Sequence, residues 1–507
     1  MLVRQLYDED LAHACYVIAC PGIKQCAVID PPRDIDRVME LAKEHGLKIV
    51  AVLETHIHAD FLSGARDLAI KTGATIYVSG LGGADWQSKW AAGMDHQLLA
   101  DGDTIEVGGV VLVAVHSPGH TPEHLSYLVI DRAAGADEPM AMISGDFVFV
   151  GDLGRPDLLE AAVGVKGSAA AGAKVLAESA KRFLQLPEFV QVWPAHGAGS
   201  ACGKALGAVP QSTVGYEKRF SPLLQDLTRA PGEAGERAFV AHVLEGQPEP
   251  PVYYARMKAW NRDGVPPIGG KLPHPRTLRA EDIGRAFNDD ITVVDTRPWA
   301  DFSAAHLPGS IWATMGINLT LSAGSYVEPE ETIWLVCPSS QRERIIRNFV
   351  RIGLDRIEGW VDPEELAACR DFGVKFESIQ DEDPAVLKSL LSHTPAPQTV
   401  VLDVRKASEF AAGSIPGAIN VAHTRLLPRL DELESAIPEG KVVHVHCLGG
   451  TRSAMACAFL KREGFDVRNV TGGFKAWCAC GGEVTGAEGD VASAVCGASC
   501  ASSTSTA

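Results

Sequence analysis

Two groups of residues have types and spacing suited to chemistry. The first begins in "LETHIHADFLSG", where His56, His58 and Asp60 stand at every second position and Phe61 follows. Further along come His120 in "SPGHTPEH", Asp146 in "SGD" and His196 in "WPAHG". Imidazole and carboxylate are the donor types that suit divalent zinc or iron. Phe61 has no lone pair to offer, so this group either carries a damaged site or is built for fewer metal ions. The second group is "HVHCLGGTRSA". Between Cys447 and Arg452, residues Gly449, Gly450 and Thr451 allow a tight turn whose amide N–H groups face one centre. Those amides, a following helix N-terminus and Arg452 favour a thiolate, the nucleophile that takes sulfur and carries it as a persulfide.

Two more cysteines join these groups. Cys202 lies six residues after His196 in a Gly-rich loop. A thiol there could hold sulfur beside a metal, or could be a small buried hydrophobe. Cys337 opens "CPSSQRE", a loop parallel to that of Cys447, with Arg342 in the place of Arg452. Pro338 has no N–H and Ser340 replaces a glycine, so this cradle should stabilise a thiolate less well, and a degenerate module is expected. His13, His45, His96, His124, Cys15, Cys20 and Cys26 carry no such pattern and read as structural.

These residues need elements to position them. Each candidate ligand follows a β-rich run: "KIVAVLETH", "VVLVAVHSPGH", "MAMISGD" and "VQVWPAHG". Loops at strand ends can gather distant side chains while the strands hold them rigidly. This pattern fills residues 1–245. Residues 246–275 are rich in Pro and Gly and read as a linker. Residues 276–376 and 380–482 then form an internal repeat. "VVDTRPWADFSAAHLPGSI" stands against "VLDVRKASEFAAGSIPGAI" at a constant offset of 108 residues; further on, "TIWLVC" pairs with "VVHVHC", each a β-run ending in cysteine. Alternating strand and helix patterns predict two small α/β units with largely parallel sheets. Residues 483–507, with Cys496 and Cys500, are small and polar and read as a mobile tail.

The motifs of the first block resemble the ordered motifs of the metallo-β-lactamase fold. The resemblance covers nearly all of residues 1–245 and implies an αββα sandwich with its site at one edge. In the two-metal hydrolases of that family, the position of Phe61 is a histidine serving the second metal. One branch, the persulfide dioxygenases, uses a single Fe(II) held by residues that match His56, His120 and Asp146. Asp60 and His196 are then supporting residues, and His58 is either a supporting residue or a third nitrogen donor. Arg155 in "GDLGRPDL" matches an arginine that places the substrate's carboxylate. The Cys447 loop, with "DVR" and "SIPGAIN" before it and "VTGGFKAW" after, resembles rhodanese sulfurtransferases. The histidine usual before Ile-Pro-Gly is Ser414 here.

The expected architecture is therefore an α/β multidomain chain: a metallo-β-lactamase sandwich, then two rhodanese-like α/β domains, the second active. The resemblance implies oxidation of a low-molecular-weight thiol persulfide, of glutathione or coenzyme A type, by O2 to sulfite. It implies one Fe(II) per chain, and sulfur transfer at Cys447 giving thiosulfate. Two other readings stand beside it. One is a thioester hydrolase of the glyoxalase II kind, which normally needs two metals. The other is a non-catalytic sulfur carrier or redox sensor. The net charge of −18 argues against nucleic-acid partners and anionic membrane surfaces. No apolar run is long enough to span a membrane, and the N-terminus has no secretory pattern. Twelve cysteines in 507 residues are too few for a disulfide scaffold, so a reducing cytoplasm and a homo-oligomeric protein acting on small molecules are expected.

Overall fold

The computed structural model describes residues 1–158, 167–200, 202–204, 206–230, 232–247, 249–288, 290–392 and 399–486. The chain divides into two compact units, one of residues 1–272 with 347–353, the other of residues 273–346 with 354 onward. Cys496 and Cys500 lie outside the described residues.

The first unit holds two six-stranded sheets. One comprises β1 (Leu2–Asp8), β2 (His13–Cys20), β3 (Gln25–Ile29), β4 (Lys48–Leu53), β5 (Thr75–Ser79) and β6 (His96–Leu99) in chain order. The other comprises β7 (Thr104–Val107), β8 (Val110–His116), β9 (Leu125–Asp131), β10 (Ala141–Gly145), β11 (Gln191–Pro194) and β12 (Ser212–Thr213), again in chain order. The alternation of side chains along a strand explains the layering. In β2 every residue is buried. Ala14, Tyr16, Ile18 and Cys20 face the other sheet and, with Leu53 of their own sheet, pack in one core cluster with Leu112, Tyr127 and Trp193 of the second. Cys15, Val17 and Ala19 face outward against Val38 and Leu68 on the helices Asp36–Glu44 and Ala65–Thr72. On the far side, Met142 and Val192 pack under the helix Ser168–Phe183 through Leu176, Ala177 and Phe183. The result is the expected αββα sandwich, and each buried aliphatic side chain contributes about 1.5–3 kcal/mol.

β8 and β10 both run antiparallel to β9, and β11 runs parallel to β10. Their C-terminal ends therefore share one edge. That geometry is what brings His120, Asp146 and His196 together from separate loops.

The second unit holds two five-stranded sheets of identical order. The first is β13 (Arg276–Thr277), β17 (Ile357–Val361), β16 (Thr332–Val336), β14 (Ile291–Asp295) and β15 (Ile311–Trp312). The second is β18 (Gln380–Glu382), β22 (Asp466–Val470), β21 (Val442–His446), β19 (Thr399–Asp403) and β20 (Ile419–Asn420). All pairings are parallel, as the sequence repeat predicts. The repeated Asp-x-Arg forms the same fork twice: Arg297 Nη2 to Asp295 at 2.6 Å and Arg405 Nη2 to Asp403 at 2.6 Å. Within this unit the two copies touch. The Tyr326 ring stacks on Phe459 at 4.5 Å, and its hydroxyl donates to the His423 carbonyl at 2.7 Å.

Two stretches differ from the sequence reading. The Pro- and Gly-rich residues 246–275 contain a helix, Tyr253–Asp263, with Tyr253, Tyr254 and Met257 buried. The stretch read as a mobile tail begins tied down, because Thr485 and Ser414 exchange backbone hydrogen bonds of 2.9 and 3.0 Å. No helix of the described residues is long and apolar enough to cross a membrane.

Candidate metal centre and thiol loops

His56, His120 and Asp146 converge below the sheet edge, all buried, with their donor atoms within 4.8 Å of one another. Nε2 of His120 lies 3.4 Å from Asp146 Oδ2, and Nε2 of His56 lies 3.9 Å from it. The opposite ring nitrogens fix the tautomers. His120 Nδ1–H donates to the Arg155 carbonyl at 3.1 Å. Thr55 Oγ1 donates to Asp30 Oδ2 at 2.8 Å, so His56 Nδ1–H donates to Thr55 Oγ1 at 2.9 Å. Both Nε2 lone pairs therefore face Asp146. Burial holds His56 well below the usual imidazole pKa, and the neighbouring His58 and His120 add to this. Neither carboxylate oxygen of Asp146 has a hydrogen-bond partner. A buried carboxylate with no donors beside two neutral imidazoles is costly unless a cation sits among them, so the residues fit a divalent metal ion.

A second layer holds these ligands. The Asp146 N–H donates to His124 Nε2 at 3.0 Å, and His124 Nδ1–H donates to Ser117 Oγ at 2.8 Å. Burial brings the His124 pKa down to about 3, which keeps the accepting nitrogen unprotonated. Glu123 Oε1 accepts the Ile57 N–H at 2.9 Å, between the two motif histidines. His58 turns Nε2 onto Glu54 at 3.1 Å and Asp30 at 3.2 Å, while its Nδ1 is buried without a partner. Burial opposes a charge on His58, but these two carboxylates outweigh it and raise its pKa well above the ordinary value. Burial raises Glu54 to about 7, and Ser63 Oγ also donates to it.

Asp60, His196 and Cys202 form a neighbouring buried cluster. His196 Nε2 lies 3.2 Å from Asp60 Oδ2 and 3.4 Å from Asp146 Oδ1, and its Nδ1–H donates to the Ala12 carbonyl at 3.0 Å. The Cys202 thiol is pushed up by burial and by the charges of Asp146 and Asp60. Phe61 is fully buried, its ring 4.0 Å from that of His13 and 4.4 Å from that of His58. It fills space beside this cluster and donates nothing. A cleft of about 330 Å³ lined by Tyr7, His196, Gly197, Val209 and Pro210 opens nearby.

Arg155 touches the cluster through its backbone carbonyl. Its side chain is fully buried, with Nε and Nη2 donating to Asp157 at 2.9 and 2.7 Å. The guanidinium fork matches its neighbour's carboxylate, and its carbonyl, not its charge, serves His120.

In the second unit Cys447 follows β21. The Gly450 N–H donates to its sulfur at 3.1 Å, and Ser453 Oγ lies 3.6 Å from it. Gly450 has φ +110°, a conformation that favours glycine. Gly473, from "VTGGF", approaches so closely that a Cβ would lie 2.4 Å from the Cys447 carbonyl, and the next N–H, of Phe474, donates to that carbonyl at 2.7 Å. Arg452 donates to Glu409 at 2.7 and 3.0 Å and lies within reach of the sulfur. Gly449 has open space around its Cα, and Thr451 begins the helix Thr451–Arg462. The first copy differs. Cys337 is fully buried and burial pushes its thiol up to about 12. Arg342 stacks 4.7 Å over the Trp360 ring, and the Trp360 indole donates to the Cys337 carbonyl at 2.9 Å.

The sandwich and its His/Asp cluster define a metal-dependent class of protein. Residues 8–196 match the metallo-beta-lactamase superfamily, and residues 383–480 match the rhodanese-like domain. The crystal structure of a metallo-beta-lactamase from Staphylococcus aureus subsp. aureus COL is 36% identical, with a TM-score of 0.62, covering 72% of this chain and 99% of that one. Persulfide dioxygenase ETHE1, mitochondrial, of Bos taurus is 27% identical over 227 residues, 44% of this chain and 76% of the relative. The beta-lactamase hydrolase-like protein of Agrobacterium fabrum is 29% identical over 251 residues, 45% of this chain and 53% of the relative. The chain thus spans about half the length of some curated relatives it matches. It belongs to the metallo-β-lactamase superfamily and carries a rhodanese-like domain after the sandwich.

Proposed function

We propose that the first unit is a persulfide dioxygenase and that the last module, residues 380–482, is a sulfurtransferase. The observation that carries this reading is the buried His56, His120 and Asp146 triad beside Phe61, which offers no donor to a second metal. A triad of two histidines and one carboxylate suits a non-haem Fe(II), which His56, His120 and Asp146 would hold and which would supply O2 chemistry for the persulfide. The net reaction is RSSH + O2 + H2O → RSH + SO3²⁻ + 2H⁺. The sulfane sulfur loses four electrons and O2 gains them. Thr55 and the Arg155 carbonyl hold the two imidazoles in the ligating tautomer, and His124 holds Asp146 in place. The buried surroundings exclude bulk water from the reacting sulfur.

At the other end, the Cys447 thiolate attacks the sulfane sulfur of a persulfide, forms Cys447–SSH and releases the carrier thiolate. Sulfite then takes that sulfur, leaving thiosulfate and regenerating Cys447. Gly450 N–H and Ser453 Oγ are placed to stabilise charge on sulfur in both steps. Cys202, buried beside Asp60 and Asp146, is a second candidate carrier of sulfur next to the metal. The residues 276–376 serve as a degenerate module that supports the active one.

One observation favours a second reading. Asp60, His196 and Cys202 supply three donors together even though Phe61 supplies none, so a second metal and thioester hydrolysis form the competing reading. Anaerobic purification, metal quantification and O2 uptake with glutathione persulfide separate the two. The oxygenase reading expects about one iron per chain and sulfite formation. Two zinc ions with thioester cleavage and no O2 uptake would refute it.

A further inference from the structure

The Tyr253–Asp263 helix is fastened to the metal-binding loop. Asn261 Nδ2 donates to the carbonyls of His58 at 2.8 Å and Phe61 at 2.7 Å, and its Oδ1 accepts the Ser63 N–H at 2.9 Å. Its own carbonyl accepts the Trp90 indole at 2.9 Å. Lys258 stands three residues before Asn261, and residues at that spacing share one face of a helix. Its ammonium lies 3.6 Å from the centre of the Trp86 ring. Trp86 belongs to the loop that rests on Glu123, because a Cβ at Gly82 would lie 2.9 Å from the Glu123 Cβ. Glu123 in turn holds the Ile57 N–H. These contacts join the metal-binding loop, the Tyr253–Asp263 helix and the Trp86 loop, and the Lys258 charge acts on both Glu123 and His120.

The charge of Lys258 is uncommitted where other cations are not. Arg262 on the same helix pairs with Asp263 at 2.6 Å, and Arg155 pairs with Asp157. Among the described residues no carboxylate lies within ion-pair distance of Lys258. Burial lowers its pKa to about 8, with Glu123 opposing the shift, and its field reaches His120. A partly desolvated ammonium on an aromatic face, beside a metal centre, is a ready partner for an anion.

We propose that Lys258, seated on Trp86, is the residue that receives the carboxylate of a peptide thiol carrier at the metal centre. The proposal rests on the persulfide reading above and assigns Lys258 a carboxylate contact of its own, the Arg155 guanidinium being paired with Asp157. The test uses the full metal-loaded chain and two readouts. In calorimetry with S-methylglutathione, Lys258→Gln weakens binding about tenfold, the scale of one charge-assisted hydrogen bond, while Lys258→Arg stays within about threefold of wild type. The dimethyl ester of S-methylglutathione binds wild type and Lys258→Gln alike. In turnover with glutathione persulfide, Lys258→Gln raises KM about tenfold and leaves kcat within about twofold, with unchanged metal content. Equal affinity of wild type and Lys258→Gln for S-methylglutathione, equal loss for acid and ester, or no binding to wild type overturns the proposal. If wild type takes up no O2 but the calorimetric difference between acid and ester stands, the oxygenase reading fails and the carboxylate site survives.

Discussion

The Cys337 and Cys447 loops occupy the same position on two sheets of the same strand order, yet their arginines have different tasks. Arg452 pairs with Glu409 and its charge interacts with that of Cys447, while Arg342 lies over Trp360. Behind Cys447, Gly450 turns its N–H onto the sulfur. In the first copy the corresponding turn begins with Pro338, which has no N–H to give. The Asp-x-Arg forks, by contrast, are the same in both copies. The fold thus tolerates loss of the cradle because the sheets are held by parallel pairing and apolar packing, not by the loop. The proposed sulfur transfer would depend on a few donors that contribute little to folding.

This contrast can be broken at several points. The largest effect is expected for Cys447→Ser, which should abolish sulfite-dependent thiosulfate formation, a loss of at least about 10³-fold, while O2 uptake persists. Cys337→Ser should leave that transfer within about twofold, and a loss there would reverse the assignment of the two modules. Next in size is labelling by iodoacetamide, followed residue by residue in the mass spectrum. With its thiol raised to about 12, Cys337 stays protonated through neutral pH, and its labelling should climb about tenfold per pH unit until pH nears 12. Rapid labelling of Cys337 at pH 8 in the folded protein would contradict the burial argument. Arg452→Ala should slow transfer by about ten- to a hundredfold through lost charge-assisted contacts. Arg342→Ala should leave transfer unchanged and cost about 0.5–1 kcal/mol of stability in a denaturant titration, the scale of a cation–π contact. The smallest effect is expected for Ser453→Ala, a decrease of about threefold in transfer rate, consistent with one weak donor at 3.6 Å.

Much of this was legible in sequence because the relevant signals are local. His56, His120, Asp146 and His196 each follow a strand-like run, and strand ends sharing an edge must bring them near one another. The repeat offset likewise predicts paired sheets of one topology. What sequence did not disclose are partners separated far along the chain. Asn261 caps the loop of Phe61 from 200 residues away. The helix carrying it sits in a stretch whose prolines and glycines suggested a linker, and it stops at Gly264, whose φ of +134° favours glycine. His124 read as structural, and only its contact with the Asp146 N–H gives it a role at the site. Glu123 and Asp30 are supporting residues that sequence reasoning missed, and the acidic residue beside His124 was the available signal. The Arg155 side chain pairs with Asp157 two residues on, a contact that depends on burial and rotamer.

The stack of Tyr326 on Phe459, with the Tyr326 hydroxyl on the His423 carbonyl, bears on how the duplicated module changes over generations. A duplicate relieved of catalysis would ordinarily be free to decay. Here its helix Ile317–Tyr326 supplies part of the wall against which the second copy is packed. Selection would then act on that face and spare the Cys337 loop, so substitutions should accumulate around Pro338 and Ser340 long before they reach Tyr326.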